Sequence, residues 1–282
     1  MKSIQGPSLL LRAILAAGLL TSCAGDKKAA APPKPGTLAY DWYISGEAYK
    51  AGEYHRAMDH LARLAVSNSE YRERARQWLM VVSGGLADGF AELANAYEAG
   101  ARANAAVAAD YRKNMREVRN AANTAAMRYA ETVRDVIGKN KDPKFQFEFG
   151  FPPGETKDSV ELTKISKGLP LQPGEHTAVR AKMAARGVVK YASALAGSPD
   201  DLTKAQSQFA APPREAVLTS TATTLVRLAY IYGPKKLDYP QRGNALCTEA
   251  LEAISILPDS PDRKKLEAKA KDELKRYKVA AS

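Results

Sequence analysis

The sequence predicts an all-α protein built from antiparallel helical hairpins. Composition is the first ground: alanine is abundant and aromatic residues make up only 7% of the 282 residues. Alanine loses no side-chain entropy in a helix, so such a composition favours helices. The second ground is periodicity. Apolar residues recur at steps of three and four, as in Leu86, Phe90, Leu93 and Tyr97, which is the pattern of a helix with one buried face. The third is punctuation by Gly52, Gly197, Gly233-Pro234 and Pro258, which divides the periodic stretches into hairpin lengths.

Residues 1–22 have a secretory layout. Lys2 precedes a short apolar run containing Leu9, Leu10, Leu11, Ile14, Leu15, Leu19 and Leu20, interrupted by Arg12. The run is too short to stay in a bilayer as a spanning helix. It ends in Leu20-Thr21-Ser22-Cys23. That tetrad resembles the lipobox of bacterial lipoproteins, in which the cysteine is acylated and becomes the first mature residue; the alternative is an ordinary signal peptide with a chance cysteine. The resemblance implies a chain lipid-anchored at Cys23 in the cell envelope and facing the periplasm. Ala24 is not the aspartate that retains many lipoproteins at the inner membrane, so the outer membrane is expected where the cell has one.

Without residues 1–22 the chain keeps 260 of its 282 residues, 40 of its 42 basic side chains and all 31 acidic ones, a formal charge of +9. That length suffices for one large domain or two modest ones. Residues 23–37 are rich in Pro, Lys and Ala and read as a flexible tether, about 40 Å long at most. Residues 38–138 and 175–282 read as N- and C-terminal helical halves, joined by an irregular Phe-, Pro- and Gly-rich connector at 139–174.

In the first half, apolar residues keep helical spacing up to Tyr49, Gly52 ends that helix, and Ala57, Leu61 and Leu64 line the next. Trp42, Gly46 and Tyr49, then Gly52-Glu53-Tyr54 and Ala57, resemble a tetratricopeptide repeat, with a first helix one residue short between Gly46 and Gly52. In that family small residues let two helices approach and aromatics fill the gap. The resemblance covers 42–64 well, the later hairpins weakly and 139–174 not at all. Glu70–Val82 reads as a third helix broken by Gly84-Gly85. Leu86–Ile137 follows as a long helical region: either two helices meet at a turn near Gly100–Ala106, the favoured reading, or one long helix packs closely at its small residues.

Phe145, Phe147, Phe149 and Phe151 alternate before Pro152-Pro153-Gly154. The alternation permits a short strand, with Val160, Leu162 and Ile165 as a conceivable partner. The preferred reading is an extended segment whose phenylalanines plug a seam between helical layers. Helices are then expected over Ser159–Lys167, Glu175–Ala196, Leu202–Phe209 with Asp200-Asp201 as its cap, Arg214–Tyr232, Asn244–Leu257 and Asp259–Tyr277, the last a polar cap on the stack.

Catalytic and metal chemistry find little support. His55 and Asp59 share a helix face, but no third ligand follows, so His55, His60 and His176 read as surface residues. No nucleophile elbow, P-loop or dinucleotide fingerprint occurs. Cys247 sits among Leu246, Ala250, Leu251 and Ile254 and reads as a buried small hydrophobe without a disulfide partner. No enzyme activity, cofactor or metal is expected. Positive charge gathers at Arg112–Lys141 and Arg263–Lys278, and Arg112, Arg116 and Arg119 share one helix face, a possible patch for anionic surfaces. DNA binding is disfavoured by the secretory segment.

The resemblance implies a scaffold or adaptor that presents a groove to a protein partner in the envelope. A periplasmic small-molecule binder beside a solute transporter is the alternative, and a binder of anionic lipid or wall polymers through basic helix faces is the third.

Overall fold

Thr37 starts the fold. Its hydroxyl accepts from the Tyr40 amide at 3.2 Å and caps the first helix. The computed structural model describes residues 31–139, 141–157, 159–172, 174–233, 237 and 239–278. The secretory segment and Cys23 lie outside the described residues. The elements are α1 (Leu38–Lys50), α2 (Tyr54–Val66), α3 (Arg72–Ala103), α4 (Ala108–Lys139) and α5 (Val160–Ser166). They continue as α6 (Glu175–Leu195), α7 (Leu202–Gln208), α8 (Arg214–Ile231), α9 (Pro240–Ser255) and α10 (Pro261–Lys278). Every regular element among the described residues is a helix, so the fold is all-α. The described residues from Pro33 onward form one compact unit.

Gly52, at φ +75°, turns the chain between α1 and α2. The inner face of α2 carries Tyr54, Ala57, Met58, Leu61, Leu64 and Ala65, all buried. Ala57 has no exposed surface, so an enlarged side chain there has nowhere to go. Ala57→Leu should cost about 1–3 kcal/mol by overpacking. An unchanged thermal midpoint would place Ala57 against solvent and refute the packing.

Helix α3 is the spine. It packs against α2, α4, α5, α6 and α8. Residues 78–87 are buried without interruption, as expected of a helix apolar on all sides. The expected break at Gly84-Gly85 does not occur: α3 runs straight through both glycines. They serve close packing instead. A Cβ on Gly84 would lie 2.6 Å from the Tyr191 ring and 2.9 Å from that of Tyr129. A Cβ on Gly85 would run into the Val188 backbone, and one on Gly187 into the Gly85 carbonyl oxygen. Two glycines cost a helix about 2 kcal/mol in propensity; here the backbone contact of α3 with α6 offsets it. The turn expected near Gly100–Ala106 falls at residues 104–107, where Asn104 accepts from the Ala106 amide at 3.0 Å and donates to the Gly168 carbonyl at 2.9 Å. The α1–α2 pair has the length of one tetratricopeptide hairpin, whereas α3 and α4 have 32 residues each, nearly the 34-residue period of a whole repeat.

The connector is extended, without a named strand. Lys144 bridges Pro213, and the Phe145 and Phe147 amides donate to the Pro212 and Ala210 carbonyls at 3.1 and 2.9 Å. Its partner is thus the α7–α8 loop. Residues 160–165, considered as a partner strand, form α5 instead. Phe145 and Phe147 are buried. Phe149 stacks on Trp78 with centroids 4.5 Å apart, and Phe147 on Phe209 at 4.9 Å.

The residues that carried the repeat resemblance hold this connector. Trp42 meets Phe149 at 4.8 Å, and a Cβ on Gly46 would touch the Phe149 ring at 3.5 Å. The Tyr49 and Tyr54 hydroxyls donate to the Gly150 and Pro153 carbonyls at 3.0 and 2.6 Å. These two bonds satisfy backbone oxygens of an irregular segment that has no ladder of its own.

Further along, α6, α7, α8 and α10 follow the expected spans to within two residues. Helix α9 begins four residues earlier than Asn244, because Pro240 supplies its first turn. Helix α10 buries Ala270 and Tyr277 and exposes most of its charge.

Candidate functional site

Where α3, α6 and α8 converge, short side chains leave space. Gly89 and Ala91 on α3, Gly187 and Ala194 on α6, and Ala216 on α8 line a groove of about 1090 Å³. The rim on α8 is a four-residue ladder: Glu215, Thr219, Thr223 and Arg227, all exposed. This spacing puts them on one face, and Tyr230 closes the end with half its surface exposed. The loop after α6 closes the other side. Gly197 (φ +77°) brings it so near α8 that a Cβ would lie 3.2 Å from that of Ala216. Asp200 on this loop lines the groove, while Asp201 accepts from the Lys204 amide at 3.0 Å and caps α7. Of the expected Asp200-Asp201 cap, only Asp201 performs that role.

Charges of both signs sit in the groove. Arg227 pairs with Asp88, which is mostly buried. Glu92 takes Arg186 at 2.7 Å and Lys190 at 3.8 Å. The buried Arg186 also donates from Nε to the Thr156 carbonyl at 3.0 Å, tying the connector to the groove wall. Beneath lies a buried hydroxyl pair, Tyr129 and Tyr191, 2.6 Å apart. Burial raises both phenols above their ordinary range.

Burial also pushes the Asp88 carboxyl up to about 6, against the pull of Arg227. The folded state therefore binds a proton that the unfolded chain has released between about pH 4 and 6. Stability from this group is present at acid pH and declines as pH rises through 6, by about 3 kcal/mol at most. Asp41 and Glu117 have lowered values through Arg63 and Arg180 and act in the opposite sense. The difference between wild type and Asp88→Asn isolates the effect. The variant should lose relative stability between pH 7 and pH 4.5 in urea titrations; parallel curves would show that Asp88 stays ionised throughout.

The other sequence-derived candidates are dispersed. Arg112 and Arg116 are exposed on α4, but Arg119 is half-buried and paired with Glu98 at 2.6 Å, which leaves two of the three arginines facing outward. His55 and Asp59 are exposed and 3.7 Å apart. His60 and His176, expected from the sequence to be surface residues, are instead half-buried joints between helices. His60 bonds Asp41 at 2.7 Å, while His176 meets Tyr97 at 2.7 Å and Asp110 at 3.0 Å. No group of three metal-ligating side chains occurs among the described residues. Cys247 is buried and its thiol is pushed up to about 12, chiefly by burial, so it is not a thiolate at neutral pH.

Sequence reasoning missed the groove. One signal was available: Thr219-Ser220-Thr221-Ala222-Thr223-Thr224 puts five hydroxyl residues in six positions of a helix, where such residues compete with the backbone for hydrogen bonds and are weak helix formers. Its opposite wall, Asp88 to Asn95, comes from a region read for its apolar stripe alone. Comparison with protein-family models, with curated proteins and with solved structures gives no match.

Proposed function

We propose that the chain is a lipid-anchored adaptor of the cell envelope, and not an enzyme, that receives a segment of a protein partner in the α3–α6–α8 groove. The observation that carries this reading is the groove itself. Its rim is polar, exposed and long, with Glu215, Thr219, Thr223 and Arg227 in line. Such a rim offers hydrogen bonds along a chain, and the groove is open along its length rather than closed around a small ligand. The tetrad ending in Cys23 supports the address, and the resemblance of Trp42–Ala57 to a tetratricopeptide repeat in sequence supports the scaffold role. Binding of anionic polymers by α4 is less favoured, because Glu98 neutralises Arg119.

A photo-reactive residue placed at Thr223 in cells tests the groove, with one at Arg112 as control. A discrete protein adduct at 223 and none at 112 is expected. Adducts at 112 alone would move the binding surface to α4. The address has its own check: Cys23→Ser should abolish incorporation of an alkyne fatty acid and release the chain from the membrane fraction, since a stable anchor needs more than one acyl chain. A wild-type chain that takes up no label would end the lipoprotein reading.

A further inference from the structure

Resting on the adaptor reading, we infer that the groove takes an extended peptide of about seven residues, with basic side chains at the end where Asp200 and Glu215 stand. The length follows from the ladder. Glu215 to Tyr230 spans fifteen helical steps, or about 22 Å at 1.5 Å each. An extended chain covers that in about seven residues at 3.3 Å. The width follows from the floor, where Gly89, Ala91, Gly187, Ala194 and Ala216 leave room for a backbone.

The lining excludes other classes. Pyranose rings are held by stacking on aromatic faces, and Tyr230 is the only exposed aromatic residue of the lining. Four carboxylates, Asp88, Glu92, Asp200 and Glu215, oppose a phosphodiester chain. Thr219 can donate and accept, and Thr223, whose hydroxyl donates to the Thr219 carbonyl at 2.8 Å, can still accept, so the rim suits peptide amides at any sequence.

The polarity follows from which charges already have partners. Asp88 faces Arg227, and Glu92 faces Arg186 and Lys190. Asp200 and Glu215 stand exposed at the other end, with Lys204 as the one basic side chain lining the groove there. That end carries a net negative charge in a chain that is otherwise strongly basic. A ligand with lysine or arginine there gains complementary charge at both carboxylates.

The test uses the full-length chain in detergent and two labelled, end-blocked heptapeptides, one alternating lysine with serine and one alternating glutamate with serine. Fluorescence anisotropy should show the lysine peptide binding at least tenfold tighter than the glutamate peptide, with the difference shrinking as salt rises. The Asp200→Lys/Glu215→Lys double variant should invert that order. Because both positions are exposed, its circular dichroism should match wild type, and Arg112→Gln/Arg116→Gln should bind like wild type. A lysine tripeptide should bind more weakly than the heptapeptide. Equal binding of the two heptapeptides, or an order unchanged in the double variant, overturns the inference. If a photo-reactive residue at 223 still captures a protein in cells while the lysine peptide fails, the adaptor reading stands and the basic extended ligand is refuted.

Discussion

Trp78→Ala is expected to be among the most damaging single substitutions in the chain. Trp78 is 1% exposed and touches Tyr49, Phe147, Phe149 and Phe209 through its ring. Truncating a buried tryptophan costs about 3–5 kcal/mol, from lost transfer energy and from the cavity left behind. In a protein of this size that lowers the midpoint by about 6–20 °C. The loss should also be local. Phe149 loses its stacking partner, so residues 143–157 should become the first site of limited proteolysis. A midpoint shift below 4 °C, or first cleavage elsewhere, would show that the phenylalanines do not depend on Trp78.

Gly187→Val should be comparably severe for a different reason. The new side chain would meet the Gly85 carbonyl and the Gly89 backbone, and backbone cannot rotate out of the way. Overpacking usually costs about 1–3 kcal/mol, and this case belongs at or above the upper end. Helices α3 and α6 would have to separate, which also widens the groove. Gly138→Ala is the matched control. Nothing lies within 4 Å of its Cβ position in α4, so the better helix former should be neutral or stabilising by up to about 1 kcal/mol. Equal midpoints for the two variants would mean that α3 and α6 do not touch through their glycines.

The contrast between these glycines shows what a sequence conveys here. Periodicity located nearly every helix, because the repeat of buried positions is written into each stretch separately. It misplaced the end of the third helix because Gly84-Gly85 looks the same whether a helix stops or another helix crosses it. Only the identity of the crossing partner, Gly187, about a hundred residues later, tells the two apart. The same limit applies to Phe145–Phe151. Alternation announced an extended segment with buried rings; Phe145 and Phe147 are buried and Phe149 and Phe151 half-buried, but its hydrogen-bond partner at 210–213 has no strand pattern. Apart from the hydroxyl run at 219–224 on its rim, the groove was illegible for a related reason. It is defined by short side chains on three helices, and a position left empty has no signature in any one of them.

One consequence concerns time. Phe147 and Trp78 share their cluster with Phe209, and Phe145 and Phe147 find their backbone partners in residues 210–212. A chain leaving the ribosome from its N-terminus has released α1 to α4 long before Phe209 appears. Until about three-quarters of the sequence is out, the aromatic cluster lacks a wall and the connector lacks its hydrogen bonds. Contacts so distant in sequence slow folding, because the loop must close before they yield any stability. The aromatic cluster and the connector are therefore completed only when a short loop from the far end of the chain arrives.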